Sequence, residues 1–174
     1  MYTILTLEAE ELFPFIPDSN YSKQKKKFLV GGEWYKANMS SSRLILFKQN
    51  PTCVCCGITG SKFLLQRSDT RPQETPHFNF FAVDDEGELI LMTKDHVLPS
   101  SKGGRDAFKN YQTMCTTCNN IKGNDPIPNE DLTFIRNAYD GLLKSGMKHK
   151  EVFHNIEDMK AALLARVDNG LGSD

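Results

Sequence analysis

The sequence predicts an α+β fold stapled by a structural metal site, and three observations carry that prediction. Two C-x-x-C pairs, Cys53 with Cys56 and Cys115 with Cys118, stand tens of residues apart. Between them, residues 78–83 and 89–93 flank an Asp84-Asp85-Glu86-Gly87 turn, the pattern of a β-hairpin. Beyond them, apolar residues recur at helical spacing: Leu132, Ile135, Ala138, Tyr139, Leu142 and Leu143, then Met159, Ala162, Leu163 and Val167.

The cysteines come first because they set the frame. A C-x-x-C segment folds into a tight knuckle with both thiolates on one side, and Gly57 after Cys56 suits the turn. Two knuckles can place four thiolates around one Zn²⁺ in a closed tetrahedral site. That closes a long loop and adds folding energy to a small domain. A redox C-x-x-C is the competing reading, and the presence of two copies argues against it. Cys55 is left over.

Composition bounds the rest. With 174 residues, 25% charged and 39% hydrophobic, the chain suits one soluble domain with appendages. No apolar run reaches the roughly 18–20 residues of a membrane span. The first residues turn acidic at Glu8, unlike a signal peptide. The expected location is therefore cytoplasmic, and thiols there serve metals or catalysis more than disulfides. A net charge of −1 speaks against a protein that coats nucleic acid by bulk electrostatics. It leaves room for a local basic surface, since phosphate contacts need only a few placed cations.

Three segments follow. Residues 1–50 form an N-terminal extension for packing or DNA contact: an apolar and acidic opening, a run of Lys23, Lys25, Lys26 and Lys27, then Phe28, Trp34 and Tyr35. The lysines are either a solvated face or a phosphate-contacting arm. Ser40-Ser41-Ser42 reads as a helix start, and residues 43–48 are too short and too apolar for period to separate helix from strand; a helix ending before Asn50-Pro51 is the preferred reading. Residues 51–125 hold both knuckles, with 61–76 reading as a loop containing a little strand. The hairpin's second strand delivers Asp95 and His96 at its end, Gly103-Gly104 opens a polar loop, and a short helix is expected over 119–122. Residues 126–174 are a C-terminal helical extension capped at Asn129-Glu130-Asp131, with fraying from Gly170 onward. Its helices serve packing or a partner surface. His77, His149 and His154 read as surface or hairpin residues.

Between the knuckles lie groups suited to phosphodiester hydrolysis, which needs a base for water and a cation for the developing charge. His96 is the candidate base, since its intrinsic pKa lies near neutrality. Asp95 offers a hard oxygen to a divalent ion. Asn119, directly after Cys118, offers an amide oxygen, and adjacent Asn120 is the alternative ligand. Asn110 is placed to bond the imidazole or nearby backbone. Lys94, Lys102 and Arg105 flank the site, as do Arg67 and Arg71.

Asp95-His96, Gly103-Gly104, Asn110 and Cys115-x-x-Cys118-Asn119-x-x-Lys122-Gly123, in that order, resemble the HNH endonuclease motif. The resemblance covers about residues 51–125 and implies a ββα-metal (His-Me finger) core of the zinc-braced type, as in stand-alone phage or bacterial forms. It implies metal-dependent DNA cleavage with His96 as general base and Asn110 orienting it. Asp95 and Asn119 would hold one Mg²⁺ or Mn²⁺, and Lys122 would lie near the scissile phosphate. Asn119 stands where the family name has its last His, which favours a hard ion. Two other functions remain open: a zinc-ribbon binding module without catalysis, and a junction-resolving nuclease dimerised through the C-terminal helices.

Overall fold

Residues 1–19 and 23–168 are described by the computed structural model. Their centre is a five-stranded antiparallel sheet. In spatial order it comprises β1 (Tyr2–Glu8), β4 (Gly60–Arg67), β5 (His77–Val83), β6 (Leu89–His96) and β7 (Tyr111–Cys115). β2 (Lys25–Val30) and β3 (Glu33–Asn38) pair separately as a hairpin. Five α-helices complete this α+β fold: α1 (Ala9–Leu12), α2 (Ser42–Gln49), α3 (Thr116–Lys122), α4 (Asn129–Lys144) and α5 (His149–Asp168).

Aromatic residues at alternate positions build the core on one sheet face. Phe63 stacks on Phe80 with centroids 4.3 Å apart, and Phe78 meets Phe63 edge-on at 6.2 Å. Three segments cover that face. Phe47 from α2 lies 5.1 Å from Phe80, Phe13 lies 5.7 Å from Phe63, and Phe28 of the hairpin lies 5.2 Å from Phe78. Such pairs add roughly 0.5–1.5 kcal/mol each beyond the area they bury.

α2 forms where expected. Ser41 caps it, its Oγ accepting from Leu44 N at 3.3 Å, and the helix stops before Pro51. The expected hairpin is present as β5 and β6, with Asp95 and His96 closing β6.

β2 and β3 form where only a lysine run and an aromatic stretch were read, and three strands of the main sheet also differ from the sequence expectation. β1 occupies the apolar and acidic opening as an edge strand on β4, only half buried, so its alternation is faint. In the segment 61–76 the strand at the start is longer than expected: β4 fills residues 60–67 between two neighbours, and the loop is confined to 68–76. Phe63, Leu64 and Leu65 are all buried there, which removes the period-2 signal. β7 is hidden by polar identity: Gln112 and Thr113 are buried, with Gln112 Nε2 donating to Asp95 and Thr113 Oγ1 donating to Asn50 O at 2.6 Å.

α3 begins at Thr116, one turn before the expected 119, and α5 starts well before residue 158. α3 packs on β6 and β7, and α4 joins α3 to α5. Leu132, Ile135 and Tyr139 of α4, with Val152 and Ile156 of α5, are buried within this chain, while Phe134 stays exposed. One apolar cluster draws on all three sequence segments, from Ala9 to Ile156. The fraying expected from Gly170 falls outside the described residues, as do the side chains of His149 and Val167.

Candidate active site and cysteine cluster

β6, the loop 97–110, β7 and α3 form a compact ββα unit at one end of the sheet. Successive strand residues point to opposite faces. Thr93 and Asp95 therefore face α3, while Lys94 and His96 face the side carrying Phe80 and Met92, which pair in register.

Asn110 holds the loop. Its Nδ2 donates to Leu98 O and Arg105 O, both at 3.0 Å, and its Oδ1 accepts from Leu98 N at 2.9 Å. It thus acts on backbone and does not touch the imidazole. Gly104 is required beside it: a Cβ there would lie 1.8 Å from Leu98 O and 2.9 Å from Asn110 Nδ2.

His96 is oriented by a residue that the sequence reasoning passed over. Its Nε2 lies 2.7 Å from Asp106 Oδ1, and Tyr111 meets the imidazole edge-on with centroids 5.1 Å apart. A carboxylate only accepts, so Nε2 carries the hydrogen and neutral His96 keeps its acceptor at Nδ1. The bond from His96, then that from the Tyr111 hydroxyl at 3.2 Å, holds Asp106 below the usual carboxylate range. The sequence held one faint signal for it, an acid after the Gly-Gly turn.

Asp95 is anchored through one oxygen. Its Oδ2 accepts from Gln112 Nε2 at 2.9 Å and pairs with Lys122 Nζ at 3.0 Å. Among the described residues Oδ1 has no partner. Asn119 Nδ2 donates to Thr93 Oγ1 at 3.1 Å, which leaves the Asn119 amide oxygen unengaged on the face shared with Asp95. Asn120 is exposed on α3. Gln112 Oε1 is buried and has no hydrogen-bond partner. Hard oxygens without donors on the face toward α3 suit a divalent cation.

Lys122 departs from its expected place. It is only 1% exposed, and its Nζ donates to His96 O at 2.9 Å besides pairing with Asp95. A side chain so enclosed is an internal counter-charge and not a surface for phosphate. Lys102 and Arg105 are exposed, and Lys94 Nζ sits 3.6 Å from the Tyr111 ring centroid. Of the flanking arginines, Arg67 lies over Tyr35 and Arg71 pairs with Glu74. His77 and His154 are exposed.

The knuckles meet as the spacing requires. The Sγ atoms of Cys53, Cys56, Cys115 and Cys118 all lie within 4.8 Å of one another, with Cys56 and Cys115 3.8 Å apart. Thiolates at about 2.3 Å from a tetrahedral Zn²⁺ would be separated by about 3.8 Å, so this cluster is consistent with a zinc brace. Without metal, hydrogen bonds among the sulfurs divide the set. Cys118 lowers the Cys115 pKa to about 6 and Cys115 lowers Cys53, while Cys56 and Cys118 are pushed up by their bonds to Cys115.

Arg136 of α4 was not foreseen. Its Nη1 lies 3.0 Å from Cys118 Sγ and 3.5 Å from Cys115 Sγ, and its Nε donates to Asp140 at 2.9 Å. Burial opposes its charge, but Cys118 and Asp140 outweigh that and raise its pKa. Four thiolates around a divalent ion would carry net negative charge, which this guanidinium is placed to offset.

The order of groups in the ββα unit now has an independent counterpart. Residues 86–129 match the HNH endonuclease family. The match spans about a quarter of the chain and includes His96, Asn110, Cys115, Cys118 and Asn119. Cys53 and Cys56 lie outside it, so the HNH segment acquires its other knuckle through the fold. Neither a curated protein nor a solved structure matches the chain. An HNH segment suggests a nuclease and implies DNA as its substrate. Among the described residues, no helix is long and apolar enough to cross a membrane.

Proposed function

We propose that this protein is a metal-dependent HNH endonuclease that hydrolyses DNA phosphodiester bonds, with His96 as general base. The observation that supports it most is the anchoring of His96 Nε2 by Asp106, which leaves Nδ1 to take a proton from water. Asp106 would also stabilise the imidazolium that forms, as an orienting carboxylate does in other His-based sites. Asp95 and Asn119 would hold one Mg²⁺ or Mn²⁺, which when bound supplies positive charge at the scissile phosphate. Gln112 and Lys122 fix Asp95 through Oδ2 and keep Oδ1 available. Asn110 and Gly104 set the loop that carries Lys102 and Arg105, which with Lys94 would contact flanking phosphates. The four cysteines would hold a structural Zn²⁺ that ties α3, and with it Asn119, to the sheet.

Plasmid cleavage by the zinc-loaded protein tests this. Mg²⁺ or Mn²⁺ should produce nicked or linear DNA, and His96→Ala should abolish it with folding and DNA binding retained. Binding without cleavage by the folded wild type would leave a zinc-ribbon binding module instead.

A further inference from the structure

The basic run at the N-terminus folds into a face with a definite composition. β2 and β3 pair Lys25 with Asn38, Lys27 with Lys36 and Leu29 with Trp34, and all six residues are exposed. Cross-strand partners share a face, so these six line the outer side of the hairpin. Trp34 is 66% exposed and Leu29 57%, both beside the Gly31-Gly32 turn. Glu33 lies on the opposite side, where it accepts from the Tyr35 hydroxyl at 2.7 Å. The outer face thus carries three lysines and no carboxylate, in a chain whose net charge is −1. Lys25, Lys27 and Lys36 form no ion pair among the described residues. Lys26 differs: it points inward, its Nζ 3.3 Å from the Phe15 ring centroid.

The hairpin's position matters as much as its charge. Phe28 on its inner side packs on Phe78, two residues beyond the Phe80–Met92 pair and toward the end of the sheet where β6 carries Lys94 and His96. Lys94 and His96 project from that same sheet face. The hairpin therefore stands on the sheet face from which the base projects.

We propose that the outer face of the β2–β3 hairpin is a duplex-DNA docking surface. Lys25, Lys27 and Lys36 bind phosphates, and Trp34 with Leu29 at the tip contacts the groove. A two-stranded ribbon fits the major groove in width, where apolar side chains can contact thymine methyl groups. This rests on the nuclease reading for the presence of DNA, and adds to it a second contact outside the HNH segment.

Trp34 is the only tryptophan in the chain, so its fluorescence reports on this face alone. Labelled duplex DNA is titrated into the zinc-loaded protein without added divalent cation, following label anisotropy and Trp34 emission together. Docking predicts that emission changes along the same isotherm as anisotropy. Lys25→Ala/Lys27→Ala/Lys36→Ala should reduce the slope of log affinity against log salt by about 2.7, at about 0.9 per phosphate contact. Trp34→Phe should weaken binding with that slope unchanged, and Lys26→Ala should leave the slope as it is. Anisotropy that rises with Trp34 emission constant would overturn the hairpin proposal and leave the nuclease reading standing. No binding to DNA at all would remove both. Emission that depends on protein concentration and not on DNA would assign the face to a second copy of the chain.

Discussion

At the scale of single residues, His96, Asp95 and Asn119 are each fixed through one atom with another left open. His96 is held at Nε2 and Asp95 at Oδ2, and both keep an acceptor free for chemistry. Asp106→Ala should therefore lower kcat by roughly ten- to a hundredfold, part of the 10²–10⁴ that a positioned base contributes. Asp106→Asn, whose amide oxygen can still accept from Nε2, should recover some of that loss. Comparing the two variants in steady-state cleavage checks this, and equal loss in both would place the effect in the charge. Since Asp106 has a lowered pKa, it stays ionised as pH falls through the ordinary carboxylate range near 3.9. The stability it adds is present above that range and disappears only as pH falls through its depressed value. Lys122→Met should strand the largely enclosed Asp95 carboxylate without its cation. The cost should be about 3 kcal/mol in urea denaturation, in the range for breaking a buried pair.

At the scale of elements, α4 acts on the cysteine cluster from outside the HNH match. Arg136 reaches two of the four sulfurs, and the Thr133 hydroxyl lies 3.0 Å from Cys55 O on the first knuckle. Arg136→Met keeps the length of the side chain and removes its charge. Zinc affinity, measured by competition with a chromogenic chelator, should fall roughly ten- to a hundredfold, the usual cost of losing a group that supports metal ligands. Unchanged affinity would make Arg136 a packing residue only. The strands at this scale were unevenly legible. β5 and β6 stood out because a polar turn separates two apolar runs, whereas β7 was obscured because Gln112 and Thr113 are polar yet buried.

At the scale of the whole molecule, the HNH segment shares its sheet and its core with the rest of the chain. β1 pairs with β4, and Leu12, Ile16, Met39 and the α2 residues Leu44, Ile45 and Phe47 share one core with Phe80 and Cys115. The isolated segment 51–125 should therefore fail to fold cooperatively even with zinc, as read by thermal unfolding followed by circular dichroism. A sharp transition in that fragment would mean that zinc and β4–β7 suffice. The apolar positions of α4 and α5 that could have served a second copy are largely used inside the chain.

The sequence alone determined the α+β class, the two knuckles, and the order Asp95, His96, Asn110, Asn119, because metal and hydrolytic chemistry restrict residue type and spacing. It also showed Gly104 as part of a turn, though not the close approach to Leu98 that makes glycine necessary. Only tertiary structure decided what depends on distant partners. It brought Cys53 and Cys56 to Cys115 and Cys118, gave Asp106 to His96, and drew Lys122 inward against Asp95. It also split the lysine run across a hairpin, with Lys25 and Lys27 on the outer face beside Lys36 and Lys26 beneath. Each of these is a contact between segments separated in the chain, and a local pattern carries no record of which distant side chain completes it.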